Sequence, residues 1–264
     1  MNKVKITSLA AGLVLAMAFT FSCSSDDDGG GGGRDPQSGG GELGDKGNDI
    51  GNYRTVVIGT QTWMAENLNY AVEGSKCYGE GGEVLIGYDE DGNFITKTLS
   101  NAEVQANCDA YGRLYYWATA MALPSSCNED NCSSQIQPNH RGICPSGWHI
   151  PSRDDWEVLI DYVGDKELGT KLKATSGWNW DDYHGISGNG TDDYGFSALP
   201  GGCGVLDGLH LVGFISIGDF GLWWSASEHE VAYSQIMFYD TGFAGWSSDD
   251  LRSSYILSVR CVKD

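Results

Sequence analysis

The run Cys144-Pro145-Ser146-Gly147-Trp148-His149-Ile150-Pro151, with Trp156 shortly after it, constrains this chain more than any other stretch. Pro145 and Pro151 fix two φ angles, Gly147 permits a sharp turn, and Trp148 offers a large surface for burial. Ser152 then stands as a helix N-cap, with Asp155 three residues on to close the cap reciprocally. Trp156, Leu159, Ile160 and Val163 follow at i, i+3, i+4 and i+7, giving one apolar stripe, and Gly164 stops the run. The segment is a disulfide-capable corner that feeds an amphipathic helix.

Elsewhere the chain mixes strands and helices without a repeat. Tyr53 to Ile58 reads as a strand, and Gly59-Thr60 turns it into a second around Trp63. Residues 83–88 and 93–98 form a hairpin across Asp91-Gly92. Ser100 with Glu103 is a capping box that opens a helix to about Tyr111. Residues 114–117 continue as strand, 118–123 as one or two helical turns, and 165–173 as a second short helix. Further strands are expected at 196–199, 222–227, 234–239 and 255–262. Two helices beside a set of antiparallel strands, with long loops between, give an α+β class.

The N-terminus speaks to compartment. Lys3 and Lys5 precede an apolar run from Leu9 to Phe21 that ends at Ser22-Cys23, a secretory signal over residues 1–22 rather than a membrane span. A cysteine directly after such a run points to lipidation at Cys23 by the bacterial lipoprotein pathway, although Thr20 stands where the usual lipobox has Leu. Asp26, Asp27 and Asp28 resemble the signal that sends such lipoproteins to the outer face of the outer membrane. Residues 23–52 are mainly Gly, Ser, Asp and Asn and read as a flexible tether. The expectation is an outer-membrane, cell-surface protein that meets the membrane through its lipid anchor only.

Charge narrows the partners. With 36 acidic against 16 basic residues the net charge is −20. Nucleic-acid backbones and anionic lipid surfaces both need basic patches, so neither is an expected partner. The about 210 residues from Tyr53 onward suit one domain with a sizeable core. Nine tryptophans and thirteen tyrosines make that domain aromatic.

Five segments in one order carry a resemblance. They are residues 59–68 (Gly-Thr-Gln-Thr-Trp-Met-Ala-Glu-Asn-Leu), 111–117 (Tyr-Gly-Arg-Leu-Tyr-Tyr-Trp), the corner at 144–151, 195–202 (Gly-Phe-Ser-Ala-Leu-Pro-Gly-Gly) and 258–263 (Ser-Val-Arg-Cys-Val-Lys). Together they resemble the Fibrobacter succinogenes major paralogous domain family over residues 53–264. The resemblance implies a recurring module of bacterial cell-surface proteins with a C-type-lectin-like fold, and it brings no established reaction. Cysteine usage agrees with export. Spacing alone leaves connectivity open. Local chain geometry and the resemblance together suggest Cys77–Cys108, Cys127–Cys132 and Cys144–Cys261, with Cys203 left over. A zinc site from Cys127, Cys132 and His140 is the disfavoured rival, since a fourth ligand is missing.

Candidate chemistry lies in the loops. Asp89, Asp91 and Asn93 match the opening of a calcium loop, but Phe94 and Ser100 stand where Gly and the bidentate Glu belong, so a hairpin turn is the better reading. Asp181, Asp182, Asp192 and Asp193 offer the hard oxygens that calcium needs, though two solvated loops with Asx turns are the better reading. The sugar-binding motifs of C-type lectins are not present as such. Trp178, Trp180, Tyr183 and Trp246 sit in Gly- and Asp-rich loops and are the candidate ligand-stacking aromatics. Catalysis finds little support. No Gly-x-Ser-x-Gly elbow occurs and the five histidines are scattered. Formylglycine-generating oxidases use two closely placed cysteines near their C-terminal end, where this chain offers only Cys261. The expectation is a non-catalytic binding or adhesion module that takes a glycan or a surface protein and needs no cofactor. The alternative is a surface enzyme or accessory protein acting on polysaccharide.

Overall fold

Glycine turns cut this chain into many short extended runs, and the computed structural model shows how they pair. It describes residues 45–164, 168–228, 232–238, 244–247 and 251–264. The order begins with β1 (Thr55–Ile58), β2 (Gln61–Met64), β3 (Ser75–Lys76), β4 (Glu83–Tyr88) and β5 (Phe94–Thr98), followed by α1 (Asn101–Tyr111). Next come β6 (Leu114–Tyr115), α2 (Trp117–Ala120), β7 (Trp148–His149), α3 (Arg153–Val163) and α4 (Leu168–Leu172). The short β8 (Trp180–Asp181) and β9 (Ile186–Ser187) precede β10 (Cys203–Asp207), β11 (His210–Ile215) and β12 (Phe220–Glu228). The chain continues through β13 (Ala232–Phe238), β14 (Ala244–Ser247), β15 (Tyr255–Ser258) and β16 (Val262–Lys263).

A four-stranded sheet runs β1-β2-β16-β7, and β8 pairs only with β9. The large sheet runs β14-β13-β12-β15-β10-β11-β4-β5, with β6 joining β15 to β3 at one side. Register shifts between Leu85 and Gly87, between Val205 and Leu206, and between Trp224 and Glu228 bend its strands.

This architecture corrects the expected α+β, C-type-lectin-like class. The chain is 31% strand and 20% helical, its main sheet curls into a half barrel, and among the described residues only two helices reach seven residues. Those two, α1 and α3, form where their capping boxes predict, with both reciprocal bonds present. The strands outweigh them, yet many are only two residues long. Such segments lack the alternation that marks a strand in sequence. Residues 196–199, expected as a strand, contribute one isolated bridge, Lys173 to Ala198.

Aromatic rings fill the core. Trp156, Leu159 and Val163 of α3 are buried, as its apolar stripe requires. Burial of each such side chain contributes about 1.5–3 kcal/mol. Trp63 and Trp156 lie 4.7 Å apart, Trp63 and Phe196 5.7 Å, and Trp156 and Trp223 6.3 Å. Against them lies Arg260, fully buried. Its guanidinium stacks 4.4 Å from the Phe196 ring and donates to Asn67 Oδ1 at 2.9 Å and to the Phe196 and Ser197 carbonyls. Burial lowers its pKa to about 9.

Three disulfides staple this body: Cys77–Cys108, Cys127–Cys132 and Cys144–Cys261, with Cys203 buried as a free thiol. The pairing is the one that chain geometry and the resemblance suggested. The sulfurs of Cys127 and Cys132 are bonded to each other, which removes the zinc alternative. Asp89 accepts from the backbone amides of Asp91 and Asn93, so the first acidic loop is the hairpin turn. Cys23 lies outside the described residues.

Candidate functional site

The turn between β8 and β9 is shaped by one acid. Asp181 accepts from the backbone amides of Tyr183 at 3.0 Å and His184 at 3.1 Å, and from His184 Nδ1. Burial raises the pKa of this carboxyl, but the bonds to His184 and the two amides outweigh that and hold it below the usual carboxylate range. Gly185, at φ +70°, closes the turn where an L side chain would be strained. Trp180 pairs with Ser187 and Asp181 with Ile186, making a small two-stranded finger. Its outer surface carries Trp180 at 57% exposure, Tyr183 at 74% and Ile186 at 50%.

Trp178, two residues earlier, turns inward and is 5% exposed. Its indole donates to the Ala198 carbonyl at 3.0 Å, and Lys173 Nζ stands 5.0 Å from its ring centroid. This corrects its assignment as a ligand-stacking ring, because its face and its N–H are already used by the core. Trp246 lies in β14, its backbone paired with Gln235, and its side chain is outside the described residues.

A cleft of about 620 Å³ opens at the base of the finger. One wall is the β4–β5 ribbon, a second is α1, and the third is the turn at 216–219 with Asn179. Tyr78, Val84, Leu99 and Ile217 give it apolar surface, while Lys97, Glu103, Asn107, Asn179, Ser216 and Asp219 supply polar groups. The volume lies within the usual range of ligand sites, and so does the mixture. Asn107 Nδ2 donates to the Tyr78 carbonyl at 3.1 Å, and Asn179 Nδ2 to Asp219 Oδ1 at 2.9 Å. Both amides are thereby oriented. Glu103 caps α1: the Ser100 amide and hydroxyl, then Lys97 at 3.2 Å, pull its pKa down to about 2. It is a fixed anion, so it is poorly suited to act as a general acid.

A second cavity of about 370 Å³ lies beside the corner and is lined by His140, His149, Asp154 and Glu228 among others. His140, His149 and Glu228 are committed to the protein. His140 Nδ1 accepts from the Gln137 amide and Nε2 donates to the Met121 carbonyl. His149 stands between Asp264 at 2.8 Å and Asp155 at 3.2 Å. Glu228 is ion-paired with Arg252, both being buried, and accepts from the Cys132 amide. Among the described residues no group of three or more His, Cys, Asp or Glu is placed to hold a metal ion. Asp192 accepts from the Ser197 amide and hydroxyl.

The chain belongs to the Fibrobacter succinogenes major domain family, whose family model matches residues 56–263. It thus carries a surface-type domain. No curated protein and no solved structure gives a significant match. The motifs that carry the resemblance converge on the core: Trp63, Asn67, Phe196 and Arg260 touch one another there. The cleft is built largely from other residues. Lys97, Asn107, Asn179 and Asp219 do not stand out in the sequence, since nothing in their spacing links them. The one available signal is Asn179, set between an inward and an outward tryptophan.

Proposed function

We propose that the domain is a non-catalytic recognition head, displayed on the outer membrane by a lipid on Cys23, that binds a glycan or a surface protein through its aromatic finger. The observation that carries this is the exposure of Trp180 and Tyr183 on a two-stranded finger whose base is tied to the rim of a cleft. Such rings stack on the apolar faces of sugars or of peptide side chains at small cost in conformational entropy. Among the described residues no helix is long and apolar enough to cross a membrane, which is compatible with attachment by lipid alone.

The rival reading, an enzyme acting on polysaccharide, needs two carboxylates across a cleft with one of them protonated. Glu103 and Asp219 are the two acids at this cleft, and Glu103 is held ionised. That removes Glu103 from the role of the protonated acid. The test is to offer the purified protein to arrayed glycans and to outer-surface proteins, alongside a Trp180→Ala, Tyr183→Ala double variant. Wild-type binding that vanishes in the variant supports the reading. Equal binding by both proteins, or bond cleavage in the bound glycan, sinks it.

A further inference from the structure

We infer that the open edge of β5 is a docking strand for an extended, basic peptide segment of a partner protein, which adds to the large sheet alongside Phe94–Thr98. This site is separate from the aromatic finger and goes beyond the recognition reading above.

Among the described strands β5 ends the large sheet, with β4 as its neighbour on the other side. The Asn93 carbonyl accepts from the Asp89 amide at 2.9 Å. Ladder alternation then turns the N–H and C=O of Ile95 and Lys97 to β4 and those of Thr96 and Thr98 outward. All five residues of β5 are exposed, so no other part of the described chain covers that row. Natural edges are guarded by proline, by a bulge in the edge strand or by lysine charge. Here β5 holds no proline, the register shift beside it lies in β4, and Lys97 is matched by Glu103 at 3.2 Å. Ile95 stands opposite Gly87, so an added strand supplies the cross-strand side chain that β4 does not. The rings of Tyr88 and Phe94, 5.4 Å apart, extend the apolar surface toward the ribbon tip.

Charge selects the partner. Beyond the Lys97–Glu103 pair, the ribbon carries Glu83, Asp89, Glu90 and Asp91, and no described cation forms an ion pair with these four. Asp89 closes the turn at one end of β5, while Glu83 accepts from the Thr96 hydroxyl nearer the other. Neighbouring strands lie about 4.8 Å apart, so lysines or arginines flanking an apolar centre reach acids at both ends. A second copy of this chain brings the same four acids to the edge, and their repulsion opposes that pairing.

The experiment titrates the purified protein with the peptide Lys-Thr-Val-Thr-Val-Thr-Lys, with its form carrying Glu for both Lys, and with its fully N-methylated form. Expected are binding of the first peptide alone, slowed hydrogen exchange at the Thr96 and Thr98 amides, and an affinity about tenfold lower in the Glu83→Gln, Glu90→Gln double variant. Thr96→Pro removes an outward N–H at a position where an edge strand tolerates proline, and should abolish binding. If that variant does not fold, hydrogen exchange on the wild-type complex decides. Unchanged binding by Thr96→Pro, equal binding of the acidic or N-methylated peptide, protection that spares Thr96 and Thr98, or no binding at all overturns the inference. So does protection of Thr96 and Thr98 that rises with protein concentration in the absence of peptide, since a second copy is then the occupant.

Discussion

The Asn179 side-chain amide donates to Asp219 Oδ1 across 2.9 Å, and this bond joins the aromatic finger to the wall of the cleft. The backbone repeats the link, since the Asn179 amide donates to the Gly218 carbonyl at 2.9 Å. Gly218 sits at φ +86°, and a Cβ on it would lie 2.6 Å from Asn179 Nδ2. A methyl group there forces Asn179 aside in addition to the backbone strain. Gly218→Ala is expected to destabilise the domain by about 1–3 kcal/mol and to weaken ligand binding, both measurable on one purified sample.

Two tryptophans two residues apart should behave in opposite ways. Trp178→Ala empties a buried site and strands the Ala198 carbonyl, so urea denaturation should show a loss of about 3–5 kcal/mol. Trp180→Ala removes an exposed ring and should stay within about 0.5 kcal/mol of wild type. Equal losses would place Trp180 in the core and leave the finger without a binding surface.

Legibility in the sequence follows length and locality. Both long helices can be read because a capping box and a 3.6-residue stripe are local signals. The Asp91-Gly92 hairpin is equally plain. The β10–β11 hairpin carries the same kind of signal at Asp207-Gly208, but the glycines at 201, 202 and 204 obscure the strand beside it. Pairing of β4 with β11 and of β12 with β15 joins residues far apart in sequence, and no local pattern encodes that. The finger's aromatics are visible as Trp180 and Tyr183. That Trp178 turns inward depends on Ala198 and Lys173, which only the folded chain brings near.

The disulfides should differ in weight. Cys144–Cys261 spans 117 residues and Cys127–Cys132 only 5. By loop entropy the first contributes about 5 kcal/mol and the second about 2. Paired Cys→Ser variants compared by chemical denaturation should keep that order, and a larger loss from the short loop would contradict it.

Stability should fall on both sides of mildly acid pH through the pair His149 and Asp155. Burial alone would lower the His149 pKa, but its bonds to Asp155 and Asp264 prevail and raise it above 6.5. Both ring nitrogens face carboxylate oxygens, which only the imidazolium can satisfy as a double donor. Its contribution is complete below pH 6.5 and is lost as pH rises through the elevated folded value. Asp155 behaves conversely. Burial raises its pKa, the bonds to His149 and Ser152 outweigh that, and its contribution is present above 3.8 and lost as pH falls through the depressed folded value. Melting temperature should peak between these limits and decline on either side of them, with the alkaline decline flattened in His149→Gln.

If ligand meets the finger at Trp180, as proposed, the indole N–H signals report the contact directly. Titrating a glycan selected on the array into isotopically labelled protein should shift the Trp180 Nε1–H resonance, assigned by its absence in Trp180→Phe. The Trp178 signal, locked to the Ala198 carbonyl, should stay in place. Shifts confined to other tryptophans, with the Trp180 signal unmoved at saturation, would contradict recognition through the finger.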